Sequence, residues 1–278
     1  MMIRVLSLGA GVQSSVLLLM SDCGELPPLE EAIFSDTQQE PQTVYDWLQI
    51  LTFKLKRSRI VVRSKGDLGA DSLVIKRSKK SGKLYQKNLI PWFVKNPDGS
   101  DGFMMRKCTS EYKIREVVKR QREIVGAKVL RSWRAAFRRG ENPPPLLECW
   151  IGISLDEAKR AKPSREPWIL NRFPLIELGM TREDCISWAE QHGFGKPPKS
   201  SCKFCPYHSD AEWFRLKRDE PEEFAKAVQF ENAARKAAEE DEVTRGELFL
   251  HHARIPLYLV KFDPSDTAGY TCDGYCAT

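Results

Sequence analysis

The stretch LSLGAGVQSS, residues 6–15, decides the fold of this chain. It connects an apolar segment, IRVLSLG (3–9), to a second one, SSVLLLMSD (14–22). The first predicts a buried strand and the second a helix, with the two glycines forming a tight turn between them. At such a turn the first N–H groups of the helix point outward, and glycine lets a ligand approach the backbone closely. The stretch therefore predicts an anion site that suits a phosphate group.

The segments that follow repeat the same alternation of strand and helix. Strands are predicted at EAIFSD (31–36), SRIVVRS (58–64) and ECWIGIS (148–154), and a helix at 40–55 has apolar residues at helical spacing. This order is typical of a parallel sheet with right-handed crossovers. We expect an α/β fold of the Rossmann-like kind, a parallel twisted sheet with helices on both faces.

Two regions of the chain are predicted to differ in character. Residues 1–180 are predicted to form the α/β core with the anion-binding loop. Residues 181–278 are predicted to form a helical C-terminal region with a charged helix at 219–247 and paired cysteines. Residues 76–107 are basic and rich in turn residues, so they interrupt the core. They are predicted as an insertion or mobile loop near the site, the alternative being a solvated surface hairpin.

Composition sets limits on location and partners. The chain of 278 residues carries a formal charge of +6, a mild bias toward anionic partners that a solvated basic surface would explain equally well. It has no apolar run of about 20 residues and no secretory signal pattern at its start, so no membrane span is expected and a cytoplasmic location is the default. In that reducing compartment the eight cysteines are not expected to form disulfides.

Two chemistries fit the first loop. Gly9, Gly11 and Ser14 approximate the dinucleotide pattern G-x-G-x-x-G, and Asp36 ends the second strand where an acid would bind the ribose. Alternatively, the loop grips pyrophosphate while ATP is split into AMP and pyrophosphate.

Later segments favour the second chemistry. FSDTQQEPQTVYDWL (34–48), RKCTSEYKIREV (106–117), GISLDEAKR (152–160) and SCKFCPYH (201–208) follow the loop in the order seen in a known group. Together they resemble the ATP-pyrophosphatase superfamily (PP-loop, adenine nucleotide alpha-hydrolase-like), and within it the phosphoadenylylsulfate (PAPS) reductase-like branch. The likeness covers most of residues 3–208.

The resemblance implies a set of site residues. Those implied to bind the nucleotide are Ser7, Gly9, Gly11, Gln13, Ser14, Ser15, Asp36 and Gly152. Those implied to act in catalysis, near the nucleotide, its metal or the phosphate charge, are Asp36, Lys113 and Arg160. Gln13 stands where the superfamily usually has aspartate, so the loop itself offers no carboxylate to Mg²⁺, and Asp36 is the acid that can compensate.

Three cysteines resemble the ligands of an iron–sulfur cluster in this branch, namely Cys108, Cys202 and Cys205. Three protein thiolates on a 4Fe–4S cluster leave one iron open, an arrangement similar to that of tRNA-thiolating relatives. The alternative is a structural zinc, with His208 completing a Cys₃His tetrahedron. Without that role, His208 is predicted to lie on the surface at the start of a helix.

The remaining cysteines have weaker patterns. Cys272 and Cys276 are predicted to relay a persulfide, to supply a fourth cluster ligand, or to be plain thiols. Cys23, Cys149 and Cys185 lie in helix or strand patterns and are predicted to be small core residues.

These observations predict an ATP-dependent sulfur-transfer (thiolation) enzyme that adenylates a nucleic acid, either tRNA or DNA. Basic segments at 76–87 and 115–139 would contact its phosphates, although basic helices are often only solvated faces. A sulfur donor such as a cysteine desulfurase is implied, no membrane partner is expected, and a homodimer is compatible with the pattern. The alternatives are a phosphoadenylylsulfate/adenylylsulfate reductase and a nucleotide-binding module with a zinc site.

Overall fold

The computed structural model describes residues 2–87, 89–240 and 246–268. Its helices and strands, in chain order, are β1 Ile3–Leu8, α1 Val12–Cys23, β2 Glu31–Asp36, α2 Gln42–Lys54, β3 Ile60–Ser64, α3 Leu68–Leu73, β4 Ile75–Arg77, β5 Leu84–Gln86, β6 Phe93–Lys95, β7 Asp101–Phe103, α4 Arg115–Val125, α5 Ala127–Arg138, β8 Leu147–Ile151, β9 Ile169–Arg172, α6 Pro174–Glu177, α7 Arg182–Gln191, α8 Asp210–Asp219, α9 Pro221–Glu240 and β10 Glu247–Phe249. Short 3₁₀ turns span Leu155–Arg160 and Leu257–Leu259, and a π-helical turn spans Thr109–Ile114.

The central sheet has five parallel strands in the order β3-β2-β1-β8-β9. β1 pairs with β2 on one side, Val5 opposite Glu31, and with β8 on the other, Ile3 opposite Leu147. The chain thus winds outward from β1 to β3 and later resumes on the opposite side of β1. The carboxyl ends of β1 and β8 mark the point where strand order reverses, which is the usual ligand position in open α/β sheets.

Hydrophobic side chains cover both faces of this sheet. Leu6 and Leu8 of β1 pack on one face with residues of α1, α2 and α7. Val5 and Ile33 pack on the other face with residues of α4 and α5. Because successive side chains of a strand point to opposite faces, apolar residues at adjacent positions bury both sides. The predicted Rossmann-like α/β architecture is confirmed.

A second core lies outside the sheet. Residues 75–86 form the exposed hairpin β4–β5. A surface hairpin was the alternative prediction for residues 76–107, which interrupt the core. The following residues behave differently, since Leu89 and Trp92 are buried against Trp213 and Phe230 of α8 and α9. Strands β6 and β7 join β10 in a three-stranded antiparallel sheet beside this core. The interruption thus packs on the C-terminal helices, and the boundary near residue 180 stays a prediction.

Several smaller predictions can be compared with these elements. The basic stretch divides into α4 and α5 at Gly126, which has a left-handed φ of 85°. Cys149 and Cys185 are buried as predicted, whereas Cys23 is exposed because it is the last residue of α1, just before the turn at Gly24. In the part of the chain that the structure describes, no helix combines the length and apolar character needed to cross a bilayer.

Candidate functional site

The β1–α1 loop has the geometry of an anion cradle. Ala10 adopts a left-handed φ of 56°, and Gly11 is the extended N-cap of α1. The Ser14 hydroxyl accepts a hydrogen bond from Gly9 N–H at 3.2 Å, which closes the loop on the first helical turn. The first N–H groups of a helix have no intrahelical acceptor, so they remain for a ligand at this end.

Two of the predicted nucleotide residues have other surroundings. Ser15 is fully buried, and its hydroxyl accepts a hydrogen bond from Trp47 Nε1 at 2.9 Å. Its backbone N–H bonds Gly11 O at 3.0 Å, so Ser15 secures α1 to α2, and its hydroxyl does not face the cradle. Ser7 lies in the wall of a cavity of about 400 Å³ that Lys113 and Cys149 also line.

Gly152 lies directly against the first turn of α1. A Cβ at this position would lie 2.6 Å from the Ser14 backbone nitrogen and 2.8 Å from its Cα. Real Cβ atoms do not approach backbone that closely, so the loop after β8 meets the β1–α1 loop only because residue 152 is glycine. Gly152 is thus located at the switch point of the sheet, and its role in nucleotide binding stays a prediction.

Gln13 connects three segments through its amide. Nε2 donates to Ser154 Oγ at 3.3 Å and to Glu157 Oε2 at 3.2 Å, and Oε1 accepts from Arg182 at 3.1 Å. Glu157 also forms an ion pair with Arg160 at 2.7 Å. Since both ends of the amide are engaged, Gln13 fixes the surroundings of the loop.

Positive charge converges next to Gln13. Burial, and then the charge of nearby Arg182, lowers the pKa of Lys199 to about 8, although Lys199 pairs with Glu212. The Nε atom of Arg160 is buried and has no hydrogen-bond partner among the described residues. Glu157 pairs with Arg160 and Glu212 pairs with Lys199, so this group mixes cations with carboxylates. Sequence analysis missed Arg182 and Lys199, because no local pattern distinguishes them from surface residues.

Asp36 ends β2 at the same edge of the sheet. Its Oδ1 accepts hydrogen bonds from Gln38 N–H at 2.7 Å and from the Tyr45 hydroxyl at 2.9 Å. Burial and this bond to Asp36 raise the pKa of Tyr45, so the phenol remains a donor. Both hydrogen bonds go to Oδ1 of Asp36. The other oxygen of this carboxylate is the kind of ligand that Mg²⁺ takes together with substrate phosphates.

A buried carboxylate connects the loop region to the cysteines. Glu40 is 1% exposed and accepts hydrogen bonds from Lys113 Nζ at 3.3 Å and Ser200 Oγ at 3.2 Å. Its Oε1 lies 4.0 Å from Cys202 Sγ, and its charge raises the pKa of Lys113. A Cβ on Gly11 would lie 3.4 Å from the Ser200 backbone. The β1–α1 loop and the segment that carries Cys202 are therefore neighbours.

The candidate cysteine ligands come from two segments of the chain near Glu40. Cys108 precedes the π-helical turn, while Cys202 and Cys205 form a tight turn with Cys205 N–H bonded to Cys202 O at 2.9 Å. Burial, and then the Glu40 charge, raises the pKa of Cys202, and burial raises that of Cys205 to about 11. The metal-free thiols of Cys202 and Cys205 are protonated at neutral pH, so metal binding to them must release protons.

The spacing of the sulfurs tests which group suits them. Within residues 2–87, 89–240 and 246–268, three or more potential ligand atoms lie within 4.8 Å of one another only at Asp210, His251 and His252. At least one pair among the three sulfurs is thus farther apart than 4.8 Å. A single zinc with Zn–S bonds of about 2.3 Å needs sulfurs about 4 Å apart. A single zinc would therefore require these thiols to move closer together, and the choice between zinc and a cluster stays a prediction.

His208 has a different environment from the one predicted. It is buried rather than on the surface, because its ring packs edge-on against Trp213 with 4.6 Å between centroids. Nε2 lies 2.9 Å from Ser201 Oγ, and burial lowers the pKa of His208 to about 3. A neutral imidazole bonded to serine is the arrangement observed here.

The Asp210–His251–His252 group has a structural explanation. His251 Nε2 donates to Asp210 Oδ1 at 2.8 Å, and Nδ1 accepts from Ala253 N–H at 3.1 Å. Both ring nitrogens of His251 are used, and the Asp210 carboxylate also accepts from Asp263 N–H at 3.0 Å. The group secures the segment after β10 to the start of α8.

No protein-family model matches this chain, and no curated protein sequence matches it significantly. Cys272 and Cys276 lie outside the described residues.

Proposed function

We propose that this chain is an ATP-dependent thiolation enzyme of the PP-loop type, which adenylates an oxygen on a nucleic acid and replaces it with sulfur. One observation carries the proposal. Gly11 adjoins Ser200, and Glu40 connects Ser200 to Lys113 and Cys202, so a phosphate cradle and candidate metal thiols flank one site. Its position at the switch point of a parallel sheet supports ligand binding there.

The first step joins ATP and the substrate. The β- and γ-phosphates bind at the Gly9–Ser14 loop, where Arg160, Arg182 and Lys199 neutralise their charge, and Asp36 holds Mg²⁺. A substrate oxygen attacks the α-phosphorus and forms a new P–O bond. The bond to the β-phosphate oxygen breaks, and pyrophosphate leaves with its electron pair. The cavity beside Ser7 offers space for the adenine base.

The second step exchanges oxygen for sulfur. A sulfur nucleophile attacks the activated carbon, a C–S bond forms, the C–O bond breaks, and AMP leaves. Cys108, Cys202 and Cys205 would hold a 4Fe–4S cluster, whose fourth iron would offer an open position for a sulfur ligand. Lys113 keeps its proton because Glu40 is close, so it contributes a fixed positive charge beside the thiols.

Charge supports a nucleic acid, tRNA or DNA, as substrate. Helix α5 has four basic residues and no acidic one, and Lys128, Arg131 and Arg138 are exposed. The turn of hairpin β4–β5 adds exposed lysines. Such groups bind phosphates and release counterions. A sulfur donor such as a cysteine desulfurase and a reducing, cytoplasmic setting accord with free thiols.

The test uses anaerobically purified protein. Labelled ATP with nucleic acid should yield AMP and pyrophosphate, and Cys202→Ala should lose iron, whereas Cys23→Ala, a change at an exposed cysteine, should keep it. ADP as the only product would overturn the nucleotide chemistry. Stoichiometric zinc without iron would overturn the cluster. Sulfite release from adenylylsulfate and a thiol reductant, without nucleic-acid binding at low salt, would favour the reductase.

A further inference from the structure

The cavity beside Ser7 lies between helix α4 and the parallel sheet. Ser7 of β1 and Cys149 of β8 line it on the sheet side, and Gln121 lines it on the helix side. Aliphatic side chains form much of the wall, namely Ile114, Val117, Val118, Ile151 and Ile169. A largely apolar cavity with a few polar groups is the usual form of a small-molecule site.

The amide of Gln121 is buried in this wall without a partner. The side chain is 1% exposed, and among the described residues neither Nε2 nor Oε1 has a hydrogen-bond partner. The Cys149 thiol is close to the amide but offers only a weak contact. Burial raises the pKa of this thiol to about 12, the Gln121 amide opposes that rise, and sulfur is a weak acceptor. A buried amide that is left unpaired costs free energy, so this one indicates a ligand or water that completes it.

The cavity adjoins both parts of the site described above. Ser7 is two residues from Gly9, and an extended chain advances about 3.3–3.6 Å per residue, so at most about 7 Å of chain separates the cavity wall from the β1–α1 loop. Lys113, which pairs with Glu40 beside the cysteines, lines the same cavity. One nucleotide can therefore place its base in the cavity and its phosphates at the loop.

We propose that Gln121 is the residue that determines base specificity in the nucleotide site, and that its amide binds the amino edge of adenine. The proposal rests on the proposed function and identifies which nucleotide the site selects and by which side chain. The aliphatic wall would contact the faces of the ring, and the two amide atoms would form a pair of hydrogen bonds at its edge.

The choice of adenine follows from the number of polar groups on each base. The 6-amino group of adenine and an adjacent ring nitrogen provide a donor and an acceptor side by side, which match Oε1 and Nε2 of one amide. Guanine can also meet the amide through its O6 and N1–H, because the amide can rotate. Its 2-amino group then adds two N–H donors, and burying an unpaired donor beside aliphatic side chains is costly.

The experiment titrates anaerobically purified protein in a calorimeter with ATP, GTP and purine riboside triphosphate, which lacks the 6-amino group. The wild type should bind ATP more tightly than the other two. Gln121→Leu should weaken ATP binding by about 5- to 150-fold, the range for a paired amide–base contact, and should bind ATP and the purine analogue equally. Inorganic pyrophosphate has no base, so the variant should bind it like the wild type. Gln191→Leu, a change at an exposed glutamine of α7, is the matched control and should bind ATP like the wild type.

Stability separates base recognition from a structural role. Without ligand, Gln121→Leu should be at least as stable toward urea as the wild type, since it removes an unpaired buried amide. A loss of stability accompanied by weaker pyrophosphate binding would show that Gln121 supports the fold, and would overturn the assignment. If the variant prefers ATP as the wild type does, or if the wild type binds GTP equally well, Gln121 does not select the base, while thiolation stands. If the wild type binds neither ATP nor pyrophosphate, the proposed function fails and this inference with it.

Discussion

Gly152 is the residue on which the junction of the two loops depends most directly. Its backbone contacts Ser14 more closely than any side chain allows. Gly152→Ala should destabilise the protein by about 1–3 kcal/mol, since overpacking pushes backbone against backbone, and it should abolish tight ATP binding by displacing the helix start. Urea denaturation and calorimetric titration with ATP measure the two effects.

Gly9→Ala is the matched control for this change. A Cβ on Gly9 would meet only Ser14 Oγ at 3.7 Å, an ordinary contact, so its stability should be close to that of the wild type. Equal destabilisation by the two variants would show that crowding at the Gly152–Ser14 contact is not the cause of the loss of stability.

For single residues, the sequence predicted those that stand in motifs following one another in a recognisable order. Asp36, Gly152 and the three cysteines all lie near the carboxyl edge of the sheet or next to residues there. Arg182 and Lys199 could not be predicted, because each is one basic residue among many until folding brings Arg182 beside Gln13 and Lys199 near Arg182. The burial of Ser15 could not be predicted either, since Trp47, its hydrogen-bond partner, lies on another helix.

Among the elements, the β4–β5 hairpin presents exposed cations on a short, isolated pair of strands. Replacing Lys79, Lys80 and Lys83 by alanine should weaken nucleic-acid binding and reduce the slope of log affinity against log salt by up to about 2 to 3, if each lysine contacts one phosphate. ATP binding should not change. An unchanged salt slope, measured by fluorescence anisotropy, would remove the hairpin from the interface.

The segment after β10 carries a pH-dependent contribution to stability. Burial lowers the pKa of His251, whose neutral Nδ1 accepts from Ala253 N–H. A histidine with a folded pKa below its unfolded value of about 6.5 binds its proton more readily in the unfolded state. Stability should therefore fall as pH decreases below about 6.5, by at most about 1.4 kcal/mol per pH unit for this group.

His251→Asn should reduce that dependence between pH 6.5 and 5, although it lowers stability at neutral pH. His208, whose pKa burial lowers to about 3, contributes equally in both proteins. Urea denaturation at several pH values measures the difference between the two proteins. Parallel curves for variant and wild type would mean that another group titrates.

Elements with long periodic patterns were predictable from the sequence, including α1, α2 and the strands of the parallel sheet. The packing of residues 89–95 was not, because their short apolar run is flanked by basic and turn-rich segments that resemble a loop. Leu89 and Trp92 become core residues only through contact with α8 and α9.

For the whole molecule, the cysteines link two distant parts of the chain. Cys108 follows the interruption and Cys202 precedes α8, and both pack on the second core. Removing the proposed cluster should lower the unfolding temperature, because a ligand that binds only the folded state stabilises it. Hydrogen exchange should quicken mainly at residues 104–112 and 200–216, with β1, β2 and β8 unchanged. Uniform quickening across the parallel sheet would contradict this role.

The separation of these cysteines also has a consequence for biosynthesis. The β1–α1 loop and Cys108 leave the ribosome first, and Cys202 follows 94 residues after Cys108. At about 5–20 residues per second this delay is roughly 5–20 s. During that interval the nascent chain can complete the parallel strands from β1 to β9 but cannot yet bring the thiols together. Insertion of the proposed cluster is thus confined to the end of translation or later.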